Sequence, residues 1–337
     1  MKTALVKADG TVRVVDQPAL EMLPGSIRVK VTRSLISTGT ETSVIRARRE
    51  APAEGDLRPG YSAVGTVVEV SADCRKAEVG QRVACAGWAV ATHSQEVVVP
   101  RNLFVPIPDA VDDDNAAFIG LAVTCMHSLR QGGLAGGESV AVIGMGMFGQ
   151  IVARIARAFG AVVCGVAKYP HQAEHAAGAC HKVYPAGGMA EAIAALAPED
   201  LVDVAVVAAG GELTEMIQVA GKLLRDRGTL VIIGRGAARI DFTQAMFAKE
   251  LTLRNTRAYG PGRYDPQYER DGIDYPLGYV RWTENRNMAG VLDLMARGLL
   301  DLRGLITTRC RLEEIPAAYE KLMAAGNREI AAIVEYD

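Results

Sequence analysis

Val140-Ala-Val-Ile-Gly-Met-Gly-Met-Phe-Gly149 is the stretch that decides how this chain reads. Four apolar residues run straight into glycines at 144, 146 and 149, and an Ala-rich stretch (150–159) follows. An uninterrupted apolar run suits a strand buried on both faces. The glycine spacing suits a tight turn that feeds directly into a helix. There Gly144 permits the turn, Gly146 lets backbone approach a pyrophosphate, and Gly149 allows close helix–strand packing. The helix opening at Met147 and Phe148 offers unpaired N–H groups and a partial positive charge to phosphates.

The same texture continues outward. Segments 139–143, 162–166, 202–208, 229–233 and 251–254 are strand-like, with helical stretches at 150–159, 172–177 and 212–224 between most of them. Buried strands alternating with helices predict an α/β, doubly wound parallel sheet of the Rossmann type. Before residue 122 the chain is β-rich instead, with runs at 29–31, 64–70, 82–84 and 96–99 broken by Gly and Pro. After Tyr259 a polar stretch, 260–287, is dense in Tyr, Arg, Asp and Pro; a helix at 288–298, a helix at 313–325 and a strand at 331–336 close the chain. The expected organisation is therefore a β-rich part over 1–121, a dinucleotide-binding domain over 122–258, and a return over 259–337 that carries the 260–287 insertion.

Bulk properties exclude several classes. A chain of 337 residues, 49% apolar and with net charge −2, suits two ordinary globular domains. It carries no basic face for nucleic acid and no apolar run of the roughly 18 residues a membrane span needs. Residues 1–6 are too short a run for a secretion signal, so the cytoplasm is the expected compartment. Cys74, Cys85, Cys125, Cys164, Cys180 and Cys310 are scattered, without the clustered thiolates of a zinc knuckle, and read as reduced thiols.

The end of the second Rossmann strand bears on the cofactor. Where NAD enzymes commonly place an acid for the ribose 2′-OH, this chain has Val166-Ala167-Lys168-Tyr169-Pro170-His171. A cation in place of an acid favours NADP(H) over NAD(H), with Lys168 and His171 as 2′-phosphate ligands. The other reading keeps Lys168 as a solvated loop residue, and Ala167 does not forbid NAD.

Taken together, Arg28-Val-Lys-Val31, Ser37-Thr-Gly-Thr-Glu41, Pro59-Gly-Tyr-Ser-Ala-Val-Gly65, Val79-Gly-Gln-Arg-Val83, the 144–149 glycines and Gly228-Thr-Leu-Val-Ile-Ile-Gly234 resemble the medium-chain dehydrogenase/reductase superfamily, the zinc-type alcohol dehydrogenase-like enzymes. The resemblance spans essentially the whole chain and implies a GroES-like catalytic domain beside the Rossmann domain. Thr38, Thr124, Ala209, Gly210 and Gly234 are further candidates to line the cofactor. A homodimer formed through the last Rossmann strand, 251–254, is a family-level expectation.

Departures from the family pattern are as informative. Thr38-Gly39-Thr40-Glu41 stands where the zinc-dependent branch has Cys-Gly-Thr-Asp, and Gly60-Tyr61-Ser62 where it has Gly-His-Glu. The third ligand falls near Leu121, and the four-Cys lobe is missing between Gly87 and Val99. Thr, Tyr and Leu are poor zinc ligands, so no metal is expected. The 260–287 insertion resembles a zinc-free subgroup associated with sugar, cyclitol or natural-product biosynthesis.

Without zinc, a general acid or hydrogen-bond donors must meet the charge that hydride transfer leaves on oxygen. Tyr61 either donates that proton or fills the space of the lost metal. Thr40 matches a relay hydroxyl or caps its own turn; Glu41 orients neighbours or is a solvated acid. His127, placed at the start of the helix entering the Rossmann domain, is a neutral-pH acid/base or a structural histidine. Arg263, Tyr264, Tyr279, Arg281 and Trp282 combine forked donors with amphipathic rings, which suits a hydroxyl-rich ligand, a dimer contact or a folded surface loop. Three functions stay open: a secondary alcohol/ketone oxidoreductase acting on a sugar- or cyclitol-like small molecule, an NADPH-dependent quinone or enone reductase, and a non-catalytic NADP(H) sensor.

Overall fold

A hairpin opens the chain, β1 (Lys2–Val6) running antiparallel to β2 (Val12–Asp16), with Gly10 at φ +79° in the turn. The computed structural model describes residues 1–74, 76–185, 201–234, 236–242 and 245–337. Its residues divide into two units, Met1–Val123 with Tyr259–Asp337, and Thr124–Ala258.

In the first unit β3 (Ser26–Ile36) is followed by α1 (Thr40–Glu50), β4 (Ser62–Val70), β5 (Arg82–Ala86), β6 (Glu96–Pro100), β7 (Phe104–Pro106), α2 (Asp113–Ala116) and α3 (Ile119–Gly132), which runs on into the second unit. The sequence signal for β3 covers only 29–31, yet the strand is eleven residues long. Its length follows from its pairing: β4 and β6 both pair with it, and a strand from the C-terminal return pairs with its far end. Ile27, Val29 and Val31 point into a core with Val67, Val83, Val97, Val99 and Phe104. Burying such side chains contributes roughly 1.5–3 kcal/mol each.

The second unit starts its sheet with β8 (Ser139–Ile143), then α4 (Met147–Ala158), β9 (Val162–Ala167), α5 (Pro170–Ala176), β10 (Lys182–Pro185), β11 (Val202–Ala208), β12 (Gly211–Glu212), α6 (Thr214–Leu223), β13 (Leu224–Ile233), β14 (Gly236–Ala237), α7 (Ala245–Ala248) and β15 (Thr252–Thr256). The six-stranded sheet has the order β10-β9-β8-β11-β13-β15 and is parallel throughout. Strand order reverses between β8 and β11, where Val140 pairs with Val204 and Val142 with Val206. A doubly wound sheet opens its ligand crevice at such a reversal, outside the carboxyl ends of the strands. Gly144 follows β8 and Ala209 follows β11 at that edge. Helix α6 starts at Thr214, not at 212, because Gly211–Glu212 pairs with Gly236–Ala237.

The return to the first unit supplies α8 (Pro266–Glu269), α9 (Glu284–Ala296), β16 (Ile306–Arg311), α10 (Ile315–Met323) and β17 (Ala331–Glu335). Strand β17 lies antiparallel to β3, Ala332 opposite Ile36 and Val334 opposite Ser34, with β16 beyond it. Tyr319 and Ile315 of α10 pack against Ile36 and Ile45. Among the described residues no helix is long and apolar enough to cross a membrane.

Candidate functional site

In the second unit, the turn after β8 is built by what its glycines lack. Gly144 sits at φ +95°, and a Cβ on it would lie 3.0 Å from the Ala208 carbonyl oxygen. A Cβ on Gly149 would lie 1.9 Å from the Gly144 carbonyl oxygen, a contact no side chain survives. Gly234, at φ +113° after β13, comes as close to Ala209, its Cβ position 2.8 Å from that carbonyl oxygen. Gly146 differs from all three. It caps α4 with an ordinary φ of −70°, and among the described residues no side chain caps the first turn and a Cβ there would meet nothing within 4 Å. The fold itself therefore demands three of these glycines, whereas the bareness of Gly146 serves the open space above the helix N-terminus.

Strand β9 ends at Ala167. Lys168 is exposed, its ammonium 5.4 Å from the Tyr169 ring centroid, and Tyr169 stacks on His171 at 5.7 Å with planes 9° apart. A cation and a flat aromatic pair thus occupy the position that carries an acid in many NAD enzymes.

In the first unit, a buried hydroxyl and carboxylate cluster surrounds Tyr61. Gly60 (φ +103°) brings the chain so near the 92–93 segment that a Cβ on it would lie 2.9 Å from the His93 nitrogen. Tyr61, 8% exposed, packs beside Trp88 and donates its phenol proton to Ser37 Oγ at 2.7 Å. The Ser37 N–H donates to Glu41 Oε1 at 2.7 Å, and Glu41 Oε2 lies 2.9 Å from His93 Nε2. Tyr319 donates to the same Glu41 oxygen. His93 Nδ1 is 2.7 Å from Ser34 Oγ, which is 2.8 Å from the Tyr336 hydroxyl. Burial, reinforced by the Glu41 charge, holds the Tyr319 phenol well above its ordinary range, so it stays a donor. Glu41 is therefore a buried carboxylate compensated by donors, the condition under which such a group is tolerated.

The 260–287 segment is joined to this cluster through Tyr259, the residue immediately before it. The Tyr259 hydroxyl makes a long 3.4 Å contact with the Tyr61 carbonyl oxygen, and Asn287 Nδ2 donates to the Tyr259 carbonyl at 2.8 Å. Burial pushes the Tyr259 phenol far up. Tyr268 donates to Thr283 Oγ1 at 2.8 Å and is pushed up to about 12 by burial.

Residues 24–109 match the alcohol dehydrogenase GroES-like domain and residues 148–271 the zinc-binding dehydrogenase family, together well over half of the chain. The chain belongs to the medium-chain dehydrogenase/reductase superfamily. It is an oxidoreductase of the zinc-type alcohol dehydrogenase-like group. D-xylulose reductase A of Aspergillus niger is 25% identical over 267 residues, 74% of this chain and 67% of the relative. Sorbitol dehydrogenase 1 of Saccharomyces cerevisiae is 24% identical over 313 residues, 82% and 80% of the two chains. Among solved structures, galactitol-1-phosphate dehydrogenase from Escherichia coli superposes with TM-score 0.83 at 16% identity, covering 100% of both chains. A structure described as a zinc-binding dehydrogenase from Sinorhizobium meliloti 1021, bound to NADP, gives 0.81 at 21% identity, covering 99% of both. These likenesses carry the fold, a GroES-like domain plus a Rossmann sheet.

Within this medium-chain dehydrogenase/reductase, the residues singled out from the sequence fall into distinct surroundings. Thr40 is exposed and is the first residue of α1, a correction to its reading as a turn residue. Thr38 is half-buried, and its carbonyl accepts from Thr42 Oγ1 at 2.6 Å. Glu41 is 1% exposed, which removes its reading as a solvated acid. His127 lies well inside α3, not at its start, because the apolar run from Ile119 begins the helix two turns earlier. Burial, aided by the charges of Arg130 and Arg257, lowers its pKa to about 4. It is neutral at pH 7 and does not fit the role of a neutral-pH acid. Thr124, on the same helix, is buried. Tyr264 and Tyr279 are 57% and 91% exposed, and Arg281 lies 3.9 Å over the Trp282 ring. Arg263 is 6% exposed, paired with Glu269 and set against the Tyr259 and Tyr264 rings, so it holds the segment together and is not a free ligand-binding fork. Tyr61 and Leu121 are both buried, and a Cβ on Gly120, next to Leu121, would lie 2.6 Å from the Tyr61 carbonyl oxygen. Among the described residues no three His, Cys, Asp or Glu gather as a metal site.

Sequence reasoning passed over Ser37, His93 and Tyr319. One signal was available: of the five histidines, His93 alone lies in the β-rich part, flanked by Thr92 and Ser94 in an otherwise apolar region.

Proposed function

We propose that this enzyme interconverts a secondary alcohol and a ketone on a polar, polyol- or sugar-like substrate, using NADP(H) in preference to NAD(H) and Tyr61 in place of zinc. The observation that carries this reading is the Tyr61 phenol, buried and hydrogen-bonded to Ser37, at a position that the family resemblance assigns to a metal ligand. Thr38, Tyr61 and Leu121 do not make a tetrahedral N/S donor set, so no step is assigned to a metal. A bound nicotinamide supplies or takes the hydride. The residues of the 144–149 turn would hold its diphosphate, with the Met147 and Phe148 N–H groups at the helix end, and Lys168 and His171 would hold the 2′-phosphate of NADP(H). In the reductive direction, hydride adds to the carbonyl carbon, the C=O π pair moves onto oxygen, and the Tyr61 phenol proton passes to that oxygen. The reverse direction returns the proton to Tyr61.

Support for the substrate class comes from the relatives, a D-xylulose reductase and a sorbitol dehydrogenase, and from the density of hydroxyl and guanidinium groups in 260–287. The exposed outer edge of β15 supports a homodimer, since an uncovered strand edge is a template for pairing. The decisive experiment assays the purified enzyme with NADPH and NADH against ketoses, inososes, quinones and enones, with elemental analysis for zinc. Turnover of ketoses or inososes that collapses in Tyr61→Phe supports the proposal. Stoichiometric zinc, full activity in Tyr61→Phe, or a preference for enones overturns it.

A further inference from the structure

We infer that His93 and Glu41 form a positioning pair that holds Ser37 in place and thereby aims the Tyr61 phenol; the inference rests on the reading of Tyr61 as proton donor. Two independent physical routes connect the pair to Tyr61. The first is hydrogen-bonded: Tyr61 donates to Ser37 Oγ, and the Ser37 N–H and carbonyl are both tied to Glu41, the latter accepting from the Glu41 N–H at 3.2 Å. The second is backbone packing: the His93 N–H donates to the Pro59 carbonyl at 3.0 Å, and Gly60 is pressed against the same stretch, immediately before Tyr61. Serine 37, Glu41 and His93 are at most 1% exposed, so water offers no substitute for a lost bond.

Directions of the hydrogen bonds follow from the donor inventory. Tyr319 O–H and the Ser37 N–H already donate to the Glu41 carboxylate, and His93 completes the set from Nε2–H. His93 Nδ1 then accepts from Ser34, which in turn accepts from Tyr336. Ser37 Oγ stands outside that chain and accepts from Tyr61. When Tyr61 gives its proton to the substrate oxygen, the Ser37 hydroxyl can rotate and donate to the phenolate, provided its backbone does not move. Fixing that backbone is the work of Glu41 and His93.

The test uses the full-length enzyme labelled with 3-fluorotyrosine, the Tyr61 signal identified by its loss in Tyr61→Phe. Glu41→Gln and His93→Gln are compared with the surface control Ser43→Ala. Displacement of the Tyr61 fluorine signal in both variants and not in the control is expected, with kcat about tenfold lower, KM changed less than about twofold and a changed solvent isotope effect on kcat. A wild-type Tyr61 signal in folded Glu41→Gln and His93→Gln, whatever their melting temperatures, overturns the inference. If Glu41→Gln does not fold, Ser34→Ala, which removes the outer hydrogen bond of His93 together with that of the Tyr336 hydroxyl and leaves Glu41 in place, is read in the same way. Absence of turnover by the unaltered enzyme would count against the proposed function alone, because the fluorine measurement needs no substrate.

Discussion

The 144–149 turn and the Tyr61 cluster are built on opposite principles. The turn is made by absent side chains: at Gly149 even one methyl group would stand 1.9 Å from a carbonyl oxygen. The cluster is made of side chains that satisfy one another, a buried carboxylate fed by Ser37, Tyr319 and His93. A backbone site fails when an atom is added, whereas a side-chain site fails when one is taken away.

The comparison can be broken most forcefully at Gly149. Gly149→Ala should destabilise the second unit by more than about 4 kcal/mol and abolish nucleotide binding, because the clash is with backbone that cannot step aside. Chemical denaturation and calorimetry with NADPH check both; a well-folded, binding-competent variant would end the argument. Glu41→Ala makes the opposite kind of damage, leaving His93, Tyr319 and the Ser37 N–H without their acceptor, and should cost about 3–5 kcal/mol in urea unfolding.

His127 sharpens the contrast from within the second unit. Its pKa, lowered to about 4 by burial and the neighbouring arginines, lies below that of the unfolded chain. The unfolded state thus binds the proton more readily, so the contribution to stability is complete above about pH 6.5 and is lost as pH falls towards 4, up to about 3 kcal/mol in all. His127→Gln should flatten the pH dependence of unfolding across that window; unchanged dependence would show that another group titrates there.

Gly146 separates ligand demand from fold demand. Gly146→Val should leave the melting temperature close to that of the parent yet weaken NADPH binding about tenfold, near 1.4 kcal/mol, since among the described residues nothing lies within 4 Å of an added Cβ. A large fall in melting temperature would mean the turn needs that glycine for itself. The smallest effect is expected at Lys168, which is exposed. Lys168→Ala should weaken NADPH about fivefold, roughly 1 kcal/mol, with NADH hardly affected; equal losses for the two would place the lysine away from the 2′-phosphate.

The difference between the two regions also explains what could be read in advance. The doubly wound sheet was legible because β8, β9 and β11 are continuous apolar runs and because glycine restrictions act between residues a few positions apart. The long β3 and the opening hairpin were not, since β3 owes its eleven residues to partners at both ends and β1 has no turn signal stronger than Gly10. His127 kept two readings in the sequence for a related reason: histidine suggests chemistry near neutral pH, but the arginines and the burial that lower its pKa arrive with the fold. Arg263 likewise resembles a ligand fork in sequence and is spent on Glu269 in three dimensions.

By itself the amino-acid sequence determined the parallel sheet and the glycine turn, because each depends on residue identity at near-neighbour positions. Only the tertiary structure decided what stands around Tyr61. Its partners come from positions 34, 37, 41, 93, 319 and 336, on one strand, two helices and three connecting or terminal segments, and hydrogen bonding in a dry interior depends on which atoms meet, not on how far apart they lie along the chain.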